Sequence, residues 1–437
     1  MPPNDDPEAR SPNEPVAKAR RRRLFRFGLR TLLIAAFVAS IPLALVGREL
    51  YRLRQEAAAT ETLLEAGAGI AFERQRDKEG FWVSRPPPPP DPYELNWLLG
   101  ERFFARPLKV HLASEGGAEE GHVALLPRLS KLERVSLNGE NFTDDAMEPL
   151  GRCRSLRQLS LHDTRIGREG FSRLANRGRI RTLTFSGSSD DESADAILGI
   201  GALSNLDGLE LHHPNLTRKR LQAISELERL QVLFVVEPTG VETGAFQELA
   251  ELNSLKKLMF AFPEEAPMGD ADLAAIAEID SLEELNFNGE NVSDAGLGSL
   301  ARATKLETLT FWAPNVADAG IDALIMLKSL KRLHLRVPQV TDAGIAALAE
   351  IDTLEELGIE KAQVTNGALE SLGRLPNLKR LTLDGGVTEA AAEQFAAEHP
   401  QCVVQLNVGG SYRWIAPAAA TGELGASGEA EAETATP

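Results

Sequence analysis

Few side chains in this sequence have the type and spacing that catalysis or metal binding requires. The chain contains two cysteines and seven histidines, and the histidines are dispersed. His162 and His212 are predicted on one face of a sheet with a strand between them, about 10 Å apart, too far to share a zinc ion. Ser254-Leu-Lys-Lys257 matches a Ser-x-x-Lys string, but its Leu255 belongs to a structural repeat, so we interpret the match as chance. We predict no enzymatic activity, no metal site and no cofactor.

The side chains are positioned by a unit of about 24 residues that repeats from Val110 to Leu406. Its clearest copies have Leu-x-x-Leu-x-Leu and then Val-Thr/Ser-Asp-Ala-Gly-Leu/Ile, as in Leu330–Leu335 and Val340–Ile345. The alternation predicts a strand, the hydroxyl predicts a helix cap, and apolar residues three or four apart predict an amphipathic helix. The first leucine of each copy, or its equivalent, is Leu132, Leu156, Ile180, Leu206, Leu230, Leu255, Leu282, Leu306, Leu330, Leu354 and Leu378.

This period predicts an α/β solenoid of about 12–13 repeats, because neither the strand nor the helix of one repeat can bury its apolar side alone. Stacking builds a parallel sheet of about 13 strands on one side and a row of helices on the other. Strands lie about 4.8 Å apart and helices about 10 Å apart, so we expect a curved horseshoe with the sheet on its concave face.

The motif closely resembles that of leucine-rich repeat proteins. Val-Thr-Asp-Ala-Gly-Leu followed by Leu-x-x-Leu is similar to the cysteine-containing subclass, known from ubiquitin-ligase substrate receptors and from many bacterial proteins. The sequence departs from that subclass because Ile279, Leu327 and Ile351 stand where it has a cysteine, and no F-box-like segment is apparent upstream. The resemblance implies protein binding, usually on the concave face.

The chain before the repeats is predicted to anchor the protein in a membrane. Residues 31–47 contain no charged side chain. Seven Lys or Arg between Lys18 and Arg30, against three in the 20 residues after Gly47, favour a cytoplasmic N-terminus and a solenoid outside the cytoplasmic membrane. A cleavable signal peptide is the main alternative, and a buried helix of a soluble domain is another. The flanking order, with Trp97 to Phe104 as an N-terminal cap, resembles bacterial membrane-anchored leucine-rich repeat proteins.

The sequence suggests five regions along the chain. They are a basic cytoplasmic segment (1–30), a transmembrane anchor (31–47), a helix, hairpin and proline-rich spacer (48–92), the repeat domain with its caps (93–415) and a disordered acidic tail (416–437). Within the spacer, residues 70–72 and 81–83 are expected to form the hairpin. Cys153 and Cys402 lie on the order of 50 Å apart at strand spacing and cannot pair. The net charge of −17 makes nucleic acid an improbable partner for the solenoid.

The concave face is the candidate binding site. Positions 3, 5 and 7 of each strand motif point away from the leucine core, and apolar, aromatic and arginine side chains at such positions are typical of binding hot spots. The candidate residues are Phe234, Met259, Phe262, Trp312, Arg332, His334 and Arg336. Two structural alternatives are a register shift at Val232 and Val236, and packing of Trp312 against its own loop.

These features together predict a non-catalytic, membrane-anchored leucine-rich repeat protein that binds a protein partner through its concave face. One alternative is an intracellular adaptor resembling the ubiquitin-ligase substrate receptors. Another is a structural protein of the cell envelope without a discrete ligand, which would tolerate substitutions across its concave face.

Overall fold

The computed structural model describes residues 29–72, 106–175, 179–187, 195–242, 244–261, 268–384, 386–408 and 411–415. The chain divides into two compact units, Met1–Leu53 and Arg54–Pro437. Helix α1, Leu29–Glu65, starts in the first unit, and its last three turns belong to the second.

The apolar part of α1 is short. The uncharged stretch of 17 residues from Thr31 to Gly47 rises about 26 Å as a helix, less than the roughly 30 Å of a hydrocarbon core. Charged residues follow at once, including Arg48, Glu49 and Arg52. Among the residues that the structure describes, no helix combines the length and apolarity needed to span a membrane. The structure therefore does not support the predicted transmembrane helix at 31–47.

A single sheet extends through the second unit. Its 15 described strands follow the order β1-β2-β3-β4-β5-β6-β8-β10-β11-β12-β13-β14-β15-β16-β17, and β7 pairs with β9 separately. The bounds are β1 Gly69–Phe72, β2 Pro107–Ala113, β3 Arg134–Asn138, β4 Gln158–Thr164, β5 Thr182–Gly187, β6 Gly208–His212, β7 Asn215–Leu216, β8 Val232–Val236, β9 Gly240–Val241, β10 Lys257–Ala261, β11 Glu284–Asn288, β12 Thr308–Trp312, β13 Arg332–Arg336, β14 Glu356–Glu360, β15 Arg380–Asp384, β16 Val403–Val408 and β17 Ser411–Ile415. Only β1 and β17 are antiparallel to their neighbours, which leaves the predicted 13 parallel strands.

A short helix follows most of the strands, as the repeat pattern predicts. The described α-helices after α1 are α2 Glu120–Val123, α3 Met147–Arg152, α4 Arg168–Ala175, α5 Ile197–Ile200, α6 Arg218–Ser225, α7 Asp270–Ile276, α8 Asp294–Ser299, α9 Asp318–Asp322, α10 Asp342–Leu348, α11 Asn366–Leu372 and α12 Glu389–Glu398. The described 3₁₀ helices are Ser114–Gly116, Leu126–Arg128, Asp144–Ala146, Ala245–Glu251, Leu300–Arg302 and Ala323–Met326.

The repeated leucines form one continuous core. Leu330, Leu333 and Leu335 of a representative repeat are all buried, and their equivalents join one apolar cluster that extends from α1 to β17. Both cysteines are buried within it as free thiols, so they do not pair, as predicted. Each buried leucine removes apolar surface from water, a contribution of roughly 1.5–3 kcal/mol per side chain. Stacking of the repeats therefore stabilises the fold.

The Val-Thr-Asp-Ala-Gly motif also links each repeat to its neighbour. The Thr341 hydroxyl caps its own helix by accepting a hydrogen bond from the Ala343 N–H at 3.2 Å. The Asp318 carboxylate of the preceding repeat accepts from the Thr341 N–H at 2.8 Å and from the hydroxyl at 2.7 Å. Asp342 repeats this arrangement with the Thr365 N–H at 2.7 Å. The motif predicted the helix cap, but the carboxylate bridge appears only in the structure.

The N-terminal end of the core is covered by the end of α1. Ala59 and Leu63 are buried there, and the Ser130 hydroxyl donates to Glu56 Oε2 at 3.0 Å. Strand β1 pairs antiparallel with β2, with Ile70 opposite Val110. The other half of the predicted hairpin, 81–83, and the predicted N-terminal cap lie outside the described residues, as does the tail 416–437.

Candidate binding surface

We define the open face as the face of the main sheet opposite the helices. Alternating burial along β8, β10, β12 and β13 places on this face, half-buried or exposed between buried neighbours, the candidates Phe234, Met259, Trp312, Arg332, His334 and Arg336. Strand β8 keeps its register with both neighbours, because Val232 lies opposite Gly208 on one side and Lys257 on the other. The apolar outward residues of β8 are therefore not the result of a register shift.

A hollow on the open face brings three of the candidate residues together. Its volume is about 230 Å³, and Trp312, His334 and Arg336 line it. The other lining residues are Asn286, Asn288, Thr310, Phe311, Leu335, Gly358 and Glu360. Phe234 and Met259 lie opposite each other on β8 and β10, outside this hollow. Arg332 shares β13 with His334 but does not line the hollow either, and Phe262 lies outside the described residues.

Trp312 and Arg336 face each other on adjacent strands. They are paired in register, and the guanidinium carbon of Arg336 lies 5.9 Å from the centroid of the Trp312 ring. At this distance the ring quadrupole attracts the cation. Trp312 therefore contacts the next repeat and does not pack against its own loop alone. The Nε atom of Arg336 is buried without a hydrogen-bond acceptor.

Gly358 makes room for His334. A β-carbon on this glycine would lie 2.6 Å from His334 Nδ1, so the imidazole occupies the space that any other side chain would need. Burial lowers the pKa of His334 below its usual value, while the nearby carboxylates of Glu356 and Glu360 oppose this shift. The imidazole is consequently neutral at pH 7.

Aromatic side chains of the last strand extend the open face. The Tyr412 hydroxyl donates to Glu360 Oε1 at 3.2 Å, which joins β17 to the rim of the hollow. Burial and the Glu360 charge raise the pKa of Tyr412. Trp414 remains 59% exposed. Neither aromatic residue is among the candidates predicted from the sequence. Their spacing of two residues on a strand was the signal that they share a face.

His162 and His212 lie closer together than predicted. Their ring centroids are 6.1 Å apart, since only the small Ser186 stands between them on β5 and the rings lean toward each other. His212 Nε2 is 2.9 Å from Glu210 Oε1. Burial, and then the charge of His212, lowers the pKa of His162. In the described part of the chain, no three His, Cys, Asp or Glu side chains come together in a group that could hold a metal ion.

Solved structures to which the chain is similar include an internalin, InlF, from Listeria monocytogenes, at 18% identity and a TM-score of 0.45, covering 72% of this chain and 93% of that one. A complex of TLR13 with ssRNA13 is 17% identical, with a TM-score of 0.46, and covers 68% of this chain and 43% of that one. The L. monocytogenes internalin C2 is 21% identical, with a TM-score of 0.36, and covers 51% and 84%. No curated protein matches the chain. A family model described as leucine-rich repeat region matches residues 136–418, well over half of the chain. The chain therefore belongs to the leucine-rich repeat family.

Proposed function

We propose that this protein binds another protein through the open face, with the hollow around Trp312 and Arg336 at the centre of the contact. The observation that carries the proposal is the Arg336 guanidinium beside the Trp312 ring, with a buried Nε that lacks an acceptor. Tryptophan and arginine are the residues most enriched at binding hot spots. An N–H group buried without an acceptor costs about 1–3 kcal/mol, so its presence suggests a role other than stability.

The neighbouring apolar residues would extend this contact. Phe234 and Met259 are half-buried on the open face of adjacent strands, and Met259 lies opposite Asn286, which lines the hollow. A stable interface usually buries about 800 Å² on each partner, more than one hollow provides. We therefore include Phe234 and Met259 in the proposed surface, together with Arg332 of β13.

The two thiols are protonated at neutral pH, which favours a binding role over catalysis by cysteine. Burial raises the pKa of both Cys153 and Cys402 to about 12, which leaves almost no thiolate at neutral pH. Because the thiolate is the nucleophile, neither cysteine is suited to covalent catalysis. We propose that the protein is non-catalytic.

Site-specific photo-crosslinking in living cells tests the proposed function. A photoreactive residue at Thr310, inside the hollow, should give a discrete adduct, whereas one at the exposed Glu350 after α10 should not. Trp312→Ala and Arg336→Ala should each reduce the adduct at least tenfold. Thr184→Ala, at an outward position of the distant β5, is the matched control and should leave it unchanged. Equal adducts at both positions, or adducts insensitive to Trp312→Ala, would contradict the proposal.

We also propose attachment to the cytoplasmic membrane, with the N-terminus inside and the repeats outside. This proposal rests on the sequence: the uncharged residues 31–47, the basic residues before them and the resemblance to bacterial membrane-anchored repeat proteins. A reporter placed after Pro437 should be accessible from outside the cell, and alkaline washing should not release the chain from membranes unless residues 31–47 are deleted. A reporter found inside would favour the intracellular adaptor, and release of the intact chain would exclude the anchor.

A further inference from the structure

The positive charges on the open face are not all neutralised. Lys257 forms an ion pair with Glu284 at 2.5 Å, and Arg380 forms one with Glu356 at 3.3 Å. Among the described residues, neither Arg332 nor Arg336 forms an ion pair with a carboxylate. Both arginines lie on β13, at positions 3 and 7 of one strand motif. The sheet therefore carries two guanidinium groups that form no ion pair, with Glu356 and Glu360 opposite them on β14.

The carboxylate on the rim of the hollow is already engaged. Glu360 accepts the hydrogen bond of Tyr412, and no ion pair links it to Arg336 within the described chain. His334 is held neutral by its burial. The remaining polar lining comes from the uncharged Asn286, Asn288 and Thr310. An incoming anion would thus meet a guanidinium that no internal carboxylate binds, beside the negative charge that Glu360 keeps.

The hydrogen-bonding state of Arg336 favours a planar anion. A guanidinium offers its donors as a flat fork that matches the two oxygens of a carboxylate, and such charge-assisted pairs are stronger than neutral ones. In the free chain this fork has neither a carboxylate partner nor an acceptor for the buried Nε. The Trp312 ring restricts the guanidinium to one side and supplies apolar surface for the stem of the incoming side chain.

The size of the hollow and the net charge of the chain further restrict the class of ligand. A volume of about 230 Å³ lies below the roughly 300–1,000 Å³ of cofactor and small-molecule sites, so one side chain fits better than a free ligand. The net charge of −17 opposes a polyanion such as nucleic acid at long range. It opposes a single carboxylate much less, because charges beyond about 8 Å are screened at physiological salt.

We propose that the hollow receives the side-chain carboxylate of an acidic segment in the protein partner, paired with Arg336 and flanked by Trp312. This inference rests on the proposed function and adds the chemistry of the partner. Arg332, on the same strand, adds a second positive charge for a flanking acidic residue.

The test uses the full-length protein and a synthetic heptapeptide library whose central residue is Asp, Glu, Asn, Gln or Lys, with the other six positions randomised and the C-terminus amidated. We expect Asp or Glu to be enriched at least tenfold over Asn or Gln. Arg336→Gln should abolish this preference. Arg336→Lys should retain part of it, because lysine keeps the charge without the planar fork. Arg374→Gln, at an exposed arginine after α11, is the matched control and should leave the preference unchanged.

Three outcomes would overturn the inference. If the selected peptides depend on Trp312 but show no preference for Asp or Glu, the partner segment is not acidic, while the proposed protein binding still holds. Enrichment of Asp and Glu that survives Arg336→Gln would place the acidic site elsewhere. Enrichment seen only after deletion of residues 416–437 would assign the hollow to the glutamates of the chain's own tail. Failure of the proposed function would be seen separately, in the crosslinking experiment. The photoreactive residue at position 310 would then give no adduct that depends on Trp312.

Discussion

Asp318 Oδ1 occupies the space that a β-carbon on Gly344 would need. The same carboxylate accepts two hydrogen bonds from Thr341, so its position is determined by the cap of the next helix. The glycine of the repeat motif is thus required by the aspartate one repeat earlier. The overlap recurs at Gly296 with Asp270 and at Gly320 with Asp294.

Replacing Gly344 should test this requirement. In Gly344→Ala the new β-carbon would overlap Asp318 Oδ1 and lie 3.1 Å from Asp318 Cα, so we expect a loss of about 1–3 kcal/mol in the free energy of unfolding. Gly298→Ala is the matched control, because its β-carbon meets only Ala323 Cβ, at 3.8 Å, within a helix. It should raise stability by roughly 0.5–1 kcal/mol. Urea unfolding followed by circular dichroism measures both, and equal effects would refute the explanation.

The repeat that contains Ala317 lacks the hydroxyl of the motif. Ala317 stands where other repeats have Ser293 or Thr341, so Asp294 accepts only the Ala317 N–H, at 2.8 Å. Ala317→Thr should add a helix cap and a second bond to Asp294, for a gain of about 0.5–1.5 kcal/mol. Thr341→Ala should cost a similar amount. If both variants shift the midpoint of urea unfolding in the same direction, the hydroxyl does not have this role.

Stability should depend on pH through His162 and His334. Burial lowers the pKa of both imidazoles below the usual 6.5. The unfolded chain then takes up protons near pH 6.5, while the folded chain takes them up only at lower pH. Stability is therefore complete above about pH 7 and falls as the pH drops through 6.5 toward the lowered values.

Urea midpoints measured from pH 8 to pH 5 should show this decline, and the double variant His162→Asn, His334→Asn should have a shallower slope than the wild type. The comparison of slopes separates the imidazoles from acidic groups such as Asp272, whose pKa is raised by burial. Identical slopes would mean that these histidines do not contribute to the dependence.

The two thiols should be unreactive in the folded protein. With a pKa of about 12, each has on the order of 10³-fold less thiolate near pH 7.5 than an ordinary cysteine of pKa about 8.5. A chromogenic disulfide reagent should modify neither Cys153 nor Cys402 in buffer and both in denaturant. The single Cys→Ser variants assign each reaction. Rapid modification in buffer would contradict the burial of that thiol.

The repeat spacing was sufficient to predict the 13 parallel strands, most of the helices that follow them and the buried leucines. These features depend on apolar periodicity within a few residues and on contact with the adjacent repeat. The helix cap by Thr341 was predictable for the same reason. The membrane anchor was not supported, because absence of charge over 17 residues alone does not decide whether a helix is long and apolar enough.

By itself, the sequence determined the architecture and which side chains share the open face, because the period of two along a strand decides the face of every residue. Only the tertiary structure decided which of those side chains meet: Trp312 with Arg336, Glu360 with Tyr412, and His162 with His212 across Ser186. These contacts join residues 24 or more positions apart. They depend on side-chain conformations and on the size of the residue between, which the repeat pattern leaves free.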